Sequence, residues 1–437
     1  MSSSAEPDLL VMEDELVGTE LECEVGPVAH GGHCVARVDG RVVFVRHALP
    51  GERVRAVVTE VRRGYLRADA VTVLTASPDR VTPPCPYAGP GRCGGCDFQH
   101  ATLAAQRSLK TAVVREQLQR LGGLTADQVD ALGVEVVPVD PSSGGPASGG
   151  PASGGPAPEG LGWRTRVQYT VDAVGRAGFT LHRSHEVIPV DRCLIAAPAV
   201  QAAEVEGSPV TSHRWPDTDR VEVVVSNRES PVSIVRETGR ERHLVAGPAT
   251  VRESVAGREW TLGAGAFWQV HPAAAATFAA TVVELLDPRE GERAWDLYGG
   301  AGLFAAALAP RLGVTGRLTV VESDARAVAV GRQALDDLWT VRFVHAPVER
   351  ALRDRRWTSV DLVVLDPPRA GAGRQVVDAI VARSPRAVAY VACDPAALAR
   401  DVRTFIDHGW HLTALRAFDA FPQTHHMECV ALLTPSR

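Results

Sequence analysis

The sequence predicts an α/β protein whose C-terminal half is a parallel, doubly wound sheet and whose N-terminal part is a small β-barrel. The first observation is that apolar strands alternate with helical segments from about residue 290, as in βαβ units. The second is that residues 18–75 divide into short strands separated by turns, a pattern typical of small barrels. The third is the length of 437 residues, which is too long for one ordinary core and indicates two or three domains.

The composition is that of a soluble globular protein, with 45% apolar and 22% charged residues. The formal net charge is −6, so any contact with nucleic acid has to come from local basic patches. The acidic N-terminus lacks a signal-peptide pattern, and no apolar run is long enough to span a bilayer. We therefore expect a cytoplasmic protein without membrane contact, in which the eight cysteines are reduced, metal-bound or catalytic.

Residues 16–76 form the predicted barrel, a shape that commonly binds oligonucleotides. The Asp-Gly pair at 39–40 stands between two alternating segments and indicates a tight hairpin. Residues 41–70 carry seven arginines against three acidic residues. Such a patch suits phosphate contacts, although a solvated charged face has the same pattern.

Residues 77–255 form a predicted central domain, which is rich in strands from residue 161 onward. Within it, residues 143–157 are three copies of Ser-Gly-Gly-Pro-Ala. This composition offers nothing to bury, so we expect a flexible, exposed insert over about 141–160 without a chemical role.

Residues 256–437 carry the doubly wound sheet, and such sheets bind ligands at the carboxyl ends of their strands. The first strand ends in DLYGGAG, residues 296–302, whose glycines allow a ligand to approach the backbone before a helix with free N–H groups. Glu322 ends the second strand 20 residues after Gly302, a spacing that suits the hydroxyls of a ribose. The glycines do not match Gly-x-Gly-x-x-Gly, which favours S-adenosylmethionine, a cofactor without phosphate, over a dinucleotide.

Two further strand ends bring reactive groups to the same edge. The fourth strand ends in DPPRAG, residues 366–371, where two prolines stiffen the loop and Asp366 projects into the cleft. Arg369 stands where amino-group methyltransferases have an aromatic residue, which argues against amino methylation. The fifth strand delivers Cys393 to the start of a helix, whose N-terminus can stabilise a thiolate. A buried core cysteine is the alternative, but the place beside a predicted methyl donor favours a nucleophile.

Five motifs occur in the order seen in the RNA uridine carbon-5 methyltransferases, and the sequence resembles that family over nearly the whole chain. They are FWQVH, DLYGGAG, DPPRAG, YVACDPAALARD and FPQTHHMECVALL, at residues 267–271, 296–302, 366–371, 390–401 and 421–433. The resemblance implies a class I S-adenosylmethionine-dependent methyltransferase with a Rossmann-like parallel sheet, a strand-rich central domain and an N-terminal TRAM β-barrel that binds RNA. The implied reaction is methylation of carbon 5 of a specific uridine, with 23S ribosomal RNA favoured as the substrate.

The resemblance also implies roles for individual residues. Cys393 is the nucleophile that adds to carbon 6 of the uracil, and Glu428 is the base that removes the carbon-5 proton. The implied binding residues for S-adenosylmethionine are Gln269, Tyr298, Gly300, Gly302, Glu322 and Asp366. Two positions depart from the family pattern, because Gly299 stands where cysteine is usual and His271 where asparagine is usual.

Four cysteines are possible metal ligands. Seven residues separate Cys85 from Cys93, two separate Cys93 from Cys96, and Cys193 lies far downstream. Four thiolates suit zinc or an iron–sulfur cluster, and the spacing alone leaves both open. The resemblance to the ribosomal-RNA branch of the family favours a [4Fe–4S] cluster on these residues, although the first gap is longer than is usual there.

Arginines and aromatic residues occur together at 41–70 and in WRTRVQY at 163–169, which suggests RNA contacts. The target base has to leave its stack to reach Cys393, so we expect a loop or a flipped uridine in a monomeric enzyme. Transfer RNA is an alternative substrate. A DNA cytosine methyltransferase is disfavoured, since those enzymes place the nucleophile after the fourth strand. A non-catalytic iron–sulfur RNA-binding protein is a further alternative, which would need neither Cys393 nor Glu428.

Overall fold

The described part of the chain comprises residues 16–139, 160–227, 231–354, 357 and 359–436 of a computed structural model. The predicted insert at about 141–160 lies outside the described residues, apart from Gly160. In the described ranges, no helix is long and apolar enough to cross a membrane.

The N-terminal unit is a six-stranded sheet that closes on itself. Its strands are β1 (Glu20–Glu24), β2 (Val28–Ala29), β3 (His33–Val38), β4 (Arg41–Arg46), β5 (Arg53–Arg62) and β6 (Tyr65–Thr75). Their order is β1-β5-β6-β4-β3-β2, and Gly26, just after β1, donates its N–H to Val35 O of β3 at 2.8 Å. The predicted hairpin joins β3 to β4, with φ angles of 48° at Asp39 and 79° at Gly40. Two left-handed residues are what the tight hairpin turn requires, so the predicted hairpin is confirmed. The closed sheet confirms the predicted barrel.

Two helices and a short strand follow the barrel: α1 (Leu103–Arg120), α2 (Ala126–Ala131) and β7 (Val136–Pro138). Helix α1 begins after Thr102, whose hydroxyl accepts the N–H of Ala105 at 3.3 Å. The buried side of α1 includes Gln106 and Lys110, and buried polar groups of this kind are costly unless they have partners. Their partners lie in the C-terminal half of the chain.

The central region is rich in strands, as predicted. Its elements are β8 (Arg166–Val171), β9 (Ala177–Thr180), β10 (Val187–Pro189), α3 (Pro198–Gln201), β11 (Glu204–Val205), β12 (Ser208–Pro209), β13 (Arg220–Val224), β14 (Ser233–Thr238), β15 (Glu241–Ala246), β16 (Thr250–Val255) and β17 (Arg258–Gly263). Six of them form an antiparallel sheet in the order β10-β9-β8-β13-β14-β15, and β16 pairs with β17.

The C-terminal half is a sheet flanked by helices. Its elements are α4 (Ala274–Leu286), β18 (Arg293–Leu297), α5 (Leu303–Leu312), β19 (Arg317–Glu322), α6 (Ala325–Ala334), β20 (Val341–His345), α7 (Val348–Leu352), β21 (Leu362–Leu365), α8 (Arg374–Val381), β22 (Ala387–Ala392), α9 (Pro395–Asp407), β23 (Trp410–Asp419) and β24 (Glu428–Pro435). The strand order is β20-β19-β18-β21-β22-β24-β23-β7.

Strands β18 to β22 are parallel, and they are the five strands that the sequence predicts. Strand β24 runs antiparallel to β22 and β23. At the far edge, β7 of the predicted central domain adds parallel to β23, so the middle of the chain completes the C-terminal sheet. The domain boundaries themselves stay a prediction. The central strands are buried on both faces, as expected for a sheet covered by helices.

Candidate active site

The winding of the sheet reverses between β18 and β21, and the crevice at their carboxyl ends is where such folds bind ligands. The turn after β18 has positive φ angles at Tyr298 (58°), Gly300 (54°) and Gly302 (81°). Gly300 donates its N–H to Glu322 Oε2 at 3.0 Å, so the ends of β18 and β19 are joined directly. Four of the predicted cofactor-binding residues therefore lie together at one edge of the sheet.

The glycines of this turn are needed for packing as well as for backbone conformation. A Cβ atom on Gly302 would lie 2.6 Å from Leu335 Cδ1, and one on Gly299 would lie 2.5 Å from Val320 Cγ1. Both distances are far shorter than carbon–carbon contacts in packed interiors, so the glycine that replaces the family's cysteine fits its surroundings. A Cβ atom on Gly300 would meet no atom within 4 Å, which shows that this residue borders open space.

Acidic side chains surround the crevice. Asp296 of β18 is buried, and its Oδ2 accepts the N–H of Ala305 at 3.0 Å, whereas its Oδ1 has no hydrogen-bond partner among the described residues. Burial, together with the charges of Asp366 and Glu322, raises the pKa of Asp296 to about 8. Burial also raises the pKa of Asp366 to about 7. This surplus of acidic groups would be offset by a bound cation.

Cys393 and Glu428 come close together at the ends of two adjacent strands. Strand β22 ends at Ala392, which is opposite Cys429 of β24. Cys393 therefore follows one member of this pair and Glu428 precedes the other. Glu428 is 3% exposed. Burial and the nearby Asp366 raise the pKa of Glu428 well above its ordinary value.

Cys393 lies just before the start of α9. Asp394 caps α9, because its Oδ1 accepts the N–H of Ala397 at 2.7 Å. Burial, followed by the Glu428 carboxyl, raises the pKa of Cys393 to about 11, and the Arg369 guanidinium acts in the opposite direction. Burial and the negative neighbours of Cys393 therefore favour its thiol form over the thiolate.

The loop at 421–427, which precedes Glu428, is held by the N-terminal half of the chain. Asp97 and Phe98 both donate their N–H groups to Gln423 O, at 2.9 and 3.0 Å. Gln106 of α1 donates to the Gln423 side chain at 3.0 Å and accepts its backbone N–H at 2.8 Å. Residues more than 300 positions apart thus fix this loop, and no local sequence signal indicated them.

Lys110 of α1 is buried and bonds to two residues at the start of the same region. Its Nζ donates to Asp419 Oδ1 at 2.5 Å and to Phe421 O at 3.1 Å. Lys110 also lines a pocket beside the nucleophile, together with Cys393, Arg369, His30, His425 and His426. This pocket is therefore built from the barrel, α1 and three loops of the C-terminal half.

Gln269 lies half-buried between β17 and α4. Its neighbour Trp268 packs against Trp260 with ring centroids 5.3 Å apart. Trp260 Nε1–H donates to Ala301 O of the glycine turn at 2.9 Å, so this segment is anchored beside that turn. The preceding Phe267 is 82% exposed.

The four predicted metal ligands line one pocket, although they come from distant parts of the sequence: Cys85, Cys93, Cys96 and Cys193. Burial raises the pKa of Cys93 to about 11. The backbone N–H of Gly95, which donates to the Cys93 sulfur at 3.4 Å, acts in the opposite direction and lowers this pKa. Burial also raises the pKa of Cys193, whereas the Arg164 charge lowers it. Within the described ranges, no three His, Cys, Asp or Glu side chains are arranged to hold a single metal ion.

The two stretches that suggested RNA contact differ from each other in burial. In the barrel, arginines of the 41–70 stretch pair with carboxylates, as Arg55 does with Glu22 at 3.1 Å and Arg67 with Glu60 at 3.1 Å. In 163–169 the tryptophan, the second arginine and the tyrosine are buried. That segment is therefore mainly core rather than a nucleic-acid surface, and the buried Arg166 pairs with the buried Glu253 at 2.7 Å.

A parallel sheet with a glycine turn, an acidic strand end and a thiol in one crevice is the architecture of a class I methyltransferase. Two family profiles match the chain: a TRAM domain over residues 14–71 and a tRNA (uracil-5-)-methyltransferase over residues 228–436. The crystal structure of the tRNA (uracil-54, C5)-methyltransferase of Pyrococcus abyssi with S-adenosyl-L-homocysteine has the same fold. It superposes with a TM-score of 0.65 at 21% identity, covering 94% of this chain and 99% of that one.

Curated relatives extend over nearly the whole length. The chain is 49% identical to an uncharacterized RNA methyltransferase of Streptomyces avermitilis, over 96% of this chain and 99% of the relative. It is 32% identical to the 23S rRNA (uracil(1939)-C(5))-methyltransferase of Alkalilimnicola ehrlichii, over 94% and 96% of the two chains. The chain therefore belongs to the RNA uracil-5-methyltransferase family, and the fold class predicted from the sequence is confirmed.

Proposed function

We propose that the protein methylates carbon 5 of a specific uridine in RNA through a covalent bond between Cys393 and the uracil ring. The observation that carries this proposal is that Cys393 and Glu428 come next to the paired residues Ala392 and Cys429 of two adjacent strands, at the same sheet edge as the glycine turn. A thiol with a buried carboxyl close enough to affect its pKa supplies the two groups that such a reaction needs.

In this reaction Cys393 loses its thiol proton to solvent, and the thiolate sulfur adds to carbon 6 of the uracil. The ring then carries the negative charge as an enolate, which makes carbon 5 nucleophilic. After carbon 5 has gained the methyl group, Glu428 removes the carbon-5 proton, and the bond between sulfur and carbon 6 breaks. A carboxyl with a raised pKa is a stronger base once it has lost its proton, which suits removal of a carbon-bound proton. Arg369 supports thiolate formation, because its charge lowers the pKa of Cys393.

S-adenosylmethionine, when bound, supplies the methyl group. Glu322 and the turn at 298–302 are proposed to hold its adenosine part, with Gln269 beside them and Asp366 near the reacting centre. The unpartnered Asp296 Oδ1 and the acidic crevice fit a ligand that carries a sulfonium cation.

The four clustered cysteines are proposed to hold a [4Fe–4S] cluster. Four thiols in a pocket with apolar walls, with a backbone N–H on Cys93 Sγ, are a donor set typical of such clusters. Anaerobically purified protein is expected to be brown and to contain about four irons per chain, and Cys93→Ser is expected to lose iron. Cys23→Ala, in the barrel core, serves as the control that keeps it. A colourless protein with one zinc would contradict the assignment.

Ribosomal RNA is the proposed substrate. The relative named for 23S rRNA is 32% identical to this chain, whereas the tRNA enzyme of Pyrococcus abyssi is 21% identical. Transfer RNA is the second candidate, since the matching catalytic family profile carries that name. The test is methyl transfer from isotopically labelled S-adenosylmethionine to unmodified RNA of both kinds, followed by digestion to nucleosides and mass spectrometry. Labelled 5-methyluridine from ribosomal RNA alone is expected. Label in transfer RNA would show that transfer RNA is the substrate in place of ribosomal RNA. Label on another nucleoside would overturn the proposed chemistry.

A further inference from the structure

The turn between β2 and β3 of the barrel lies in the same pocket as the nucleophile. His30, Gly31 and Gly32 line that pocket together with Cys393. His30 Nε2 is 3.1 Å from Asp394 Oδ2. The N-terminal barrel therefore touches the residue that directly follows Cys393.

Asp394 uses its two oxygens in two directions. Oδ1 accepts the N–H of Ala397 and so caps α9 at 2.7 Å, while Oδ2 contacts His30 at 3.1 Å. One side chain thus connects the barrel with the first turn of the helix that follows the nucleophile. A side chain held from two sides keeps the backbone beside it in a single conformation.

The two glycines of the turn allow this close approach. Gly31 and Gly32 have φ angles of 91° and 77°. A Cβ atom on Gly32 would lie 2.8 Å from His425 Cβ, whereas one on Gly31 would come no closer than 3.4 Å, to His33 Nδ1. Gly32 is therefore packed directly against the loop that precedes Glu428, and Gly31 is not.

We infer that this barrel turn is a wall of the catalytic pocket and that His30 is a positioning residue, which orients Cys393 through Asp394. The inference rests on the proposed function, since it gives the barrel a part in uridine methylation beyond attachment of the RNA. Loss of the His30–Asp394 contact then lowers kcat more than it raises KM, because the nucleophile is misplaced after the RNA has bound. Loss of a hydrogen bond to a charged group is expected to lower kcat about tenfold when that bond positions the nucleophile.

The first test compares His30→Ala with His408→Ala. His408 is a matched control, because its Nε2 contacts Asp378 at 2.7 Å at the other end of α9. The two histidine side chains are also similarly exposed, at 37% and 36%. We expect His30→Ala to lower kcat about tenfold with KM nearly unchanged, His30→Gln to recover most of the loss through its amide N–H, and His408→Ala to match the wild type. A rise in KM alone, or equal kcat in all variants, would overturn the inference.

The second test compares Gly32→Ala with Gly31→Ala. Both place alanine at a positive φ, so they share the backbone strain, but only Gly32→Ala pushes against His425. We expect a larger fall in kcat for Gly32→Ala, together with faster alkylation of Cys393 by iodoacetamide, measured on the Cys393 peptide. Equal effects of the two variants would mean that the turn does not act on the pocket.

The two proposals fail in different ways. If the wild type transfers no methyl group to RNA, the proposed function fails, and the alkylation rates still test whether the barrel turn shields Cys393. If the wild type is active and His30→Ala and Gly32→Ala behave as their controls do, the proposed function stands and the role of the turn is wrong.

Discussion

The carboxylate of Asp97 joins the cysteine segment to the loop of His425. Its Oδ2 accepts the backbone N–H of His425 at 3.0 Å and lies 2.6 Å from the ring Nδ1. Asp97 directly follows Cys96, and Arg46 of the barrel lies 3.5 Å from its other oxygen. One buried residue thus connects the barrel, the cysteine pocket and the loop that leads to the proposed base.

This connection predicts that Asp97→Ala both destabilises the protein and impairs catalysis. The substitution removes one carboxylate next to the buried Arg46, and removing one partner of a buried pair costs about 3–5 kcal/mol of unfolding free energy. Chemical denaturation and methyl transfer below the unfolding range measure the two effects. Glu284→Ala is the control, because the surface pair of Glu284 with Arg416 is worth less than about 1 kcal/mol. Equal stability of the two variants would contradict the prediction.

The neighbouring positions of Cys393 and Glu428 predict different failures when each is replaced. Cys393→Ala and Glu428→Gln are both expected to abolish turnover, since one lacks the nucleophile and the other the base. Only Glu428→Gln is expected to form a covalent RNA adduct, visible as a shifted band in a denaturing gel. Full activity in either variant, or an adduct with Cys393→Ala, would refute the assigned roles.

The pKa of about 11 at Cys393 predicts a strong pH dependence of its reactivity. The thiolate is the reactive form, and below the pKa its fraction rises about tenfold per pH unit. Alkylation of the free protein by iodoacetamide is therefore expected to be slow at pH 7 and to accelerate steadily to pH 10. Arg369→Met removes the charge that lowers this pKa, so it is expected to slow alkylation at each pH. A rate that levels off near pH 7 would show that the thiol is already activated.

The parts of the site that the sequence predicts are those that follow a strand pattern or a motif. The ends of β18, β19, β21 and β22 followed from apolar runs that stop at Gly, Glu, Asp-Pro and Cys. Short elements and long-range contacts could not be predicted from the sequence. Strand β7 has three residues, which is too few for a periodic signal. Gln106 and Lys110 sit in a helix with charged residues on several sides, so they look like surface residues until the chain is folded. Their partners are more than 300 residues away.

The buried Asp296 predicts a pH-dependent difference between the wild type and Asp296→Asn. In the folded state its pKa is raised to about 8 from 3.8, so the folded state binds a proton that the unfolded state releases. The contribution of the Asp296 carboxyl to the free energy of unfolding is fully present below about pH 4. It is lost as the pH rises to about 8. The unfolding free energy of the variant minus that of the wild type is therefore expected to increase over this range, by no more than about 6 kcal/mol. A difference independent of pH would show that Asp296 keeps an ordinary pKa.

The buried pair of Lys110 and Asp419 predicts a large stability effect at a site outside the proposed chemistry. Lys110→Met leaves the Asp419 carboxylate buried without a cation, which is expected to cost about 3–5 kcal/mol of unfolding free energy. The double variant Lys110→Met, Asp419→Leu is expected to recover part of this loss, because two apolar groups of similar size need no counter-charge. Arg120→Met is the matched control, since Arg120 lies on the same helix and pairs with Glu116 on the surface, where an ion pair is worth about 0.3–0.5 kcal/mol. Urea denaturation of the three variants measures these differences, and a double variant less stable than Lys110→Met alone would show that Asp419 does not depend on Lys110.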